Sequence, residues 1–348
     1  MKFSKRKRLE CVLKGQLPDR PPITAYRHFP KSERKPTELA KVMLDWQKKY
    51  DWDIMKIHPS AVYMQEVWGD VFDYNNYVQE IFPKKISKAT NCDDLSIFEK
   101  KDMNNQTLKD HVEVIKIIKE NLTEDVPIVH TLFTPLTIIT NIFECPFVRR
   151  HFHAERKDNK IFDIIKNKEK ELEKALENIT DTYINYWKDL KATGIDGLFY
   201  AGISWARTGY MTEDEWRRYI KKYDLKFLKE VKKDGGLIIY HTCGIKSNPE
   251  RFCDYPIDIL HWDQGGEGNP PIKDSIRFLK KIVPMGGVNE MIFGTNSENK
   301  IEELAKEEIK NNKDIPYILA PYCSVSINTT NAELMAFRNS VNLNLGGS

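Results

Sequence analysis

The tightest constraint this chain places on its own fold is a recurring pair: a short apolar segment, then a stretch with helical periodicity. Eight apolar segments begin near residues 23, 53, 127, 197, 237, 257, 282 and 315. Rich in Ile, Val, Leu and aromatic residues, they read as short buried strands. Amphipathic segments separate most of them, at 36–50, about 106–121, from Thr134-Pro135, about 160–192, from 212 to about 233, and about 298–311. Pro36 and Pro135 sit in first turns, where a missing N–H costs nothing, and Thr212-Glu213-Asp214-Glu215 is a capping box. Such alternation implies an α/β protein with a parallel sheet, and eight units imply a (β/α)8 TIM barrel, with residues 1–348 as one domain. An open doubly wound sheet is the other architecture, but neither G-x-G-x-x-G nor G-x-x-x-x-G-K-[ST] occurs, which counts against its nucleotide-binding forms. Residues 60–104 break the pattern and read as an excursion from the barrel.

Composition narrows the function. With 348 residues, 41% of them hydrophobic, the chain can bury a large core. A net charge of +3 gives no footprint for nucleic acid, and no apolar run approaches the roughly 20 residues of a membrane span. The basic start (Lys2, Lys5, Arg6, Lys7, Arg8) has no apolar core after it, so no secretion signal is read. The six cysteines are scattered rather than spaced as a disulfide scaffold, and a reducing cytoplasm is the expected compartment.

In a barrel the active site lies at the C-terminal ends of the strands. The strand entered through Gly235-Gly236 ends in His241-Thr242-Cys243-Gly244. Side chains alternate along a strand, so His241 and Cys243 share a face and Thr242 takes the other. Cys323 stands past the last strand as Cys243 stands past this one. Arg27, Tyr200, His261 and Asn289 also fall at expected strand ends, Arg27 as a candidate anion binder and Tyr200 and Asn289 by position. One imidazole and two thiolates cancel the charge of Zn²⁺ and leave a fourth tetrahedral position open, the pattern of a catalytic zinc. Such a centre can strip the proton from a substrate thiol or activate water. Thiolate-rich ligation makes the metal a poorer Lewis acid, which favours the thiol. Asp263 and Glu267 are candidate fourth ligands at rest. The competing reading of each residue is ordinary packing, ion pairing or capping. Cys11, Cys92, Cys145 and Cys253 read as core or incidental thiols, and His151 and His153, among Arg149, Arg150 and Arg156, as a solvated basic face.

Taken in order, these residues resemble the uroporphyrinogen decarboxylase superfamily. The marks are Arg8-Leu9, Pro18-Asp19-Arg20-Pro21-Pro22, Thr134-Pro135-Leu136-Thr137, Gly194-Ile195-Asp196-Gly197, His241-Thr242-Cys243-Gly244, Met285-Gly286-Gly287-Val288, and Cys323 with Asn331. The resemblance implies a (β/α)8 barrel and one of two chemistries. The decarboxylases carry Arg-Gln-Ala-Gly-Arg after the first strand and Gly-His-Gly near the last. Here those places read Arg27-His28-Phe29-Pro30-Lys31 and Tyr322-Cys323-Ser324. The other branch resembles methylcobalamin:coenzyme M methyltransferases and related corrinoid-dependent enzymes, whose zinc motif is His-x-Cys with a distant Cys, as at His241, Cys243 and Cys323. It implies zinc, a corrinoid (methylcobalamin) as methyl donor, free or on a partner protein, and a small-molecule thiol acceptor; the reverse direction belongs to the same class. A porphyrinogen decarboxylase and a non-catalytic zinc- or corrinoid-binding protein are the alternatives.

Overall fold

A computed structural model describes residues 3–90, 93–145 and 155–342. Cys92, Arg149, Arg150, His151 and His153 lie outside the described residues. The main sheet has seven parallel strands in the order β1 (Met55–Ile57), β4 (Ile128–Phe133), β5 (Gly197–Ile203), β6 (Leu237–Thr242), β7 (Ile259–His261), β8 (Val283–Val288) and β9 (Ile318–Pro321). Spatial order follows chain order because helices return the chain after β4, β5 and β8. The excursion at 60–104 holds a separate antiparallel hairpin, β2 (Val71–Val78) with β3 (Phe82–Ser87).

The expected strand at 23–26 is not a strand of the sheet. It is an extended segment with a single parallel bridge, Ile23 to Leu319. Pro21 and Pro22 have no N–H to donate, so a ladder cannot extend toward the N-terminal side. The segment still reaches both margins of the sheet. On the β9 side Leu319 N donates to Pro22 O (2.8 Å) and Thr24 N to Leu319 O (3.1 Å). On the β1 side Asp53 N donates to Ile23 O (2.9 Å) and Thr24 Oγ1 to Ile54 O (2.8 Å).

Alternation along the strands separates two apolar layers. Val129, Phe199, Ile239, Ile259 and Ile318 join Tyr26 and Ile54 in an inner cluster. Their neighbours Ile128, Leu198, Tyr200, Ile238 and Leu260 pack in the larger layer that also holds the helices. Those helices keep their expected bounds closely, Pro36–Tyr50, Gln106–Asn121 and Glu298–Asn311 among them. The long helix expected at 160–192 is two, Ile161–Asn167 and Glu169–Ala192, parted at Lys168.

The outer layer contains a buried acid. Asp224, fully buried on the helix Lys222–Lys233, accepts hydrogen bonds from Tyr200 Oη (3.0 Å), Tyr240 Oη (2.7 Å) and Tyr255 Oη (3.5 Å). Burial pushes its carboxyl up to about 7, against the lowering effect of the three hydroxyls. An unfolded aspartate titrates near about 3.9. Between those values the folded state holds a proton that the unfolded state lacks, so its contribution to stability is lost as pH rises through about 7. Asp224→Asn should therefore flatten the fall in stability between pH 5 and pH 8, by an amount on the order of a few kcal/mol. Urea unfolding at the two pH values measures it, and an unchanged slope would contradict the assignment.

Candidate metal centre

Register places the centre. Ala201 pairs with His241, His241 with His261, and His261 with Met285, which sets these residues at one level near the C-terminal ends of β5 to β8. His241 is the last but one residue of β6, and Cys243 follows the strand. Cys323 stands just beyond β9. The ligand atoms of His241, Cys243 and Cys323 all lie within 4.8 Å of one another. His241 is buried and the two cysteines are partly exposed, so the cluster faces the opening at the strand ends.

The backbone at β5 is bent to shape this corner. Ile203 has φ 51°, a left-handed conformation that a β-branched side chain strongly disfavours. It follows a register shift between β5 and β6. Its carbonyl accepts from Cys243 N (2.8 Å) and Thr242 Oγ1 (3.1 Å). Thr242 is thereby held away from the cluster, as strand alternation requires.

The imidazole packs against two tilted rings. His241 lies over His261 at 4.6 Å between ring centroids and over Phe199 at 5.4 Å. His261 is fixed in turn: its Nε2–H donates to Pro321 O (2.9 Å) and its Nδ1 accepts from Tyr26 Oη (3.0 Å). Burial holds His261 neutral, well below the usual histidine range. His241 Nε2 faces Cys323 Sγ at 4.0 Å, and His241 Nδ1 is buried with no hydrogen-bond partner among the described residues. Nε2, the ring nitrogen turned toward Cys323, is the one placed to take a metal. Ligand atoms in a tetrahedral zinc site stand roughly 3.6–3.8 Å apart, so small side-chain adjustments would bring these three to zinc distances.

The two thiols act as a pair. The hydrogen bond from Cys243 draws the Cys323 thiol well below its ordinary value, and His241 helps; that same bond, then burial, push Cys243 up. One sulfur thus ionises readily, and the second needs a cation to do so. Asp263 and Glu290 lie near enough to oppose charge on Cys243. Of the two expected fourth ligands, Asp263 is buried beside the cluster, whereas Glu267 is exposed and pairs with Lys246 at 3.1 Å.

The other residues singled out from sequence are not gathered here. β5 runs on to Ile203, which leaves Tyr200 in mid-strand in the outer layer, bonded to Asp224. Arg27 Nη1 donates to the carbonyls of Ile327 (2.9 Å) and Thr329 (3.2 Å), and its guanidinium covers the Trp46 ring at 5.1 Å. Asn289 follows β8 and caps a short 3-10 turn, accepting from Met291 N at 2.9 Å. Tyr26 and Lys56, which line the floor of the centre, were not singled out from sequence. The available signal was the alternation Ile54, Lys56, His58, which puts a lysine on the inward face of β1.

The family model described as uroporphyrinogen decarboxylase (URO-D) matches residues 4–343. No curated protein matches the chain in sequence. Among solved structures, a methyltransferase from Methanosarcina mazei is similar at TM-score 0.75 and 20% identity, covering 98% of this chain and 99% of that one. A B12-independent methionine synthase from Shewanella sp. W3-18-1 is similar at TM-score 0.57 and 13% identity, covering 92% and 96%. At these identities the likeness is one of fold. No helix among the described residues is long and apolar enough to cross a membrane.

Proposed function

We propose that this chain, which belongs to the uroporphyrinogen decarboxylase family, is a zinc-dependent methyltransferase moving a methyl group between a corrinoid and an acceptor, a thiol in the simplest case. The observation that carries this reading is the convergence of His241, Cys243 and Cys323 within 4.8 Å at the strand ends. We read residues 22–24, bonded to β9 and to Asp53 and Ile54 just before β1, as the eighth stave of a (β/α)8 barrel, with the cluster at the barrel's functional end. The fold likeness to a protein named a methyltransferase agrees with this.

His241, Cys243 and Cys323 would hold the zinc. Bound there, it would supply the positive centre that favours a substrate thiol in its thiolate form. The protein's own part is positional. Phe199 and His261 fix the His241 plane, and the Ile203 carbonyl fixes the Cys243 backbone. Through the partly exposed cysteines a thiol would reach the site and meet the methyl carbon of a free corrinoid or of one on a partner protein. Decarboxylation has less support. Arg27 already serves two carbonyls, and a cysteine stands where the decarboxylases carry histidine.

Metal analysis with an anaerobic assay of methylcobalamin against a panel of thiols tests the reading. About one zinc per chain with methyl thioether formed is the expected result. Loss of carboxyl groups from uroporphyrinogen without methyl transfer would overturn it. Because one structure of similar fold is by name independent of B12, the corrinoid is tested separately, by offering the zinc-loaded protein a methyl donor that is not a corrinoid.

A further inference from the structure

β1 carries a lysine into the inner layer. Lys56 is 5% exposed. Its Nζ lies 4.2 Å from the Tyr26 ring centroid, 4.4 Å from that of Phe199 and 2.5 Å from His58 Nδ1. When Lys56 is an ammonium it only donates, so His58 then accepts at Nδ1 and presents its Nε2–H to Ser324 Oγ, 3.3 Å away. Ser324 follows Cys323 directly, and Phe199 also packs on His241. The lysine therefore sits against the same aromatic floor that supports the metal centre.

A buried ammonium is costly unless an anion compensates it. Lys56 has no ion pair with a carboxylate among the described residues. The groups in electrostatic reach are His58 just past its own strand, His130 on β4, His261 on β7 and Cys323 beyond β9, with the Tyr26 ring against it. Burial keeps the three histidines neutral and the tyrosine protonated. Burial pushes the Lys56 ammonium well below the usual lysine range, and only Cys323 opposes that. The aromatic faces add a cation–π contribution without supplying charge.

Charge counting then assigns the lysine a task, on the reading of the cluster as a zinc site that takes a thiol. One imidazole and two thiolates balance a divalent cation, and a third thiolate leaves one negative charge in excess. We propose that Lys56 is the counter-charge for a substrate thiolate, a positioning residue that lets the cluster accept neutral thiols by balancing the negative charge they acquire on binding. The thiol S–H bond breaks with its electron pair left on sulfur. The proton leaves to solvent through the opening where Cys243 and Cys323 are partly exposed. Lys56 gains its charge as that negative charge arrives, by taking up a proton from solvent, and touches no reacting atom.

The test uses the full chain loaded with cobalt(II), whose sulfur-to-metal charge-transfer band reports each thiolate without turnover. 2-Mercaptoethanol is titrated against pH in the wild type, Lys56→Met, Lys56→Gln and Lys56→Arg, with thermal unfolding of each. Lys56→Met and Lys56→Gln should keep the band from the protein's own two thiolates. They should bind the added thiol about tenfold more weakly at pH 7, with the pH midpoint of binding raised by about one unit, while Lys56→Arg stays near wild type. A purely structural lysine would lower the melting temperature and leave the midpoint unmoved. Lys56→Gln keeps a donor to His58 and serves if Lys56→Met does not fold. If the wild type binds the thiol and the neutral variants share its midpoint, this inference is wrong and the zinc–thiol reading stands. If the wild type binds no thiol at any pH, both fall.

Discussion

A protein carrying Cys243→Ser and Cys323→Ser should keep its fold and lose its zinc. A serine hydroxyl stays protonated at neutral pH and cannot replace a thiolate as ligand. Two of the three donors disappear, so affinity should fall far beyond the roughly 10–100-fold that loss of a mere supporting partner costs. Both thiols are partly exposed at strand ends and neither belongs to the inner apolar cluster. Stability of the metal-free protein should therefore change by less than about 1 kcal/mol. Zinc per chain, the circular dichroism spectrum and methyl transfer from methylcobalamin are measured together. Metal and activity should vanish while the spectrum stays. A double variant that still binds zinc with wild-type affinity would remove the basis for the proposed function.

The second large effect is expected far from the centre, at Asp53. Its carboxylate is fully buried and accepts from Arg8 Nη1 (2.7 Å), Arg20 Nη1 (2.6 Å) and Ile23 N (2.8 Å). Arg8 is also buried and bonds Asp19 through Nε (2.8 Å) and Nη2 (2.9 Å). One carboxylate thus ties the first helix, the proline-rich turn and the segment that bridges β9 to β1. Asp53→Ala leaves the Arg8 guanidinium buried and short of charge. Breaking such a pair typically costs about 3–5 kcal/mol. For a chain of this size that lowers the melting temperature by roughly 4–7 °C. The loss should persist at high salt, because screening does not reach a buried pair. Ile23 lies against β9, whose end carries Cys323, so zinc affinity should fall as well. A destabilisation under about 1 kcal/mol in urea unfolding would show that the network serves something other than holding the fold.

These two sites differ in how far the sequence announces them. The cluster of His241, Cys243 and Cys323 was legible because it rests on residue type and strand parity: His241 and Cys243 two apart on a strand end, and Cys323 past another. The Pro18-Asp19-Arg20-Pro21-Pro22 run was legible as a mark of kinship, but its partner Asp53 was not, since an isolated aspartate before a strand announces no ion pair. The hairpin at 71–87 escaped notice because its turn, Gln79-Glu80, takes two positive φ angles without glycine or asparagine. Tyr200 was placed at a strand end because the apolar run stops there, whereas β5 continues through Ala201 and Gly202 to Ile203.

By itself, then, the sequence determined the alternation of strands and helices, the family, and the three residues of the cluster, since each follows from local periodicity or from residue chemistry. Tertiary structure alone decided which of the residues near strand ends meet. It turned Tyr200 outward to Asp224, committed Arg27 to the carbonyls of Ile327 and Thr329, and brought Lys56 under the cluster. The reason is physical: parity assigns a side chain to a face, but its neighbours across that face come from strands up to 300 residues away, through a register that only the packed sheet sets.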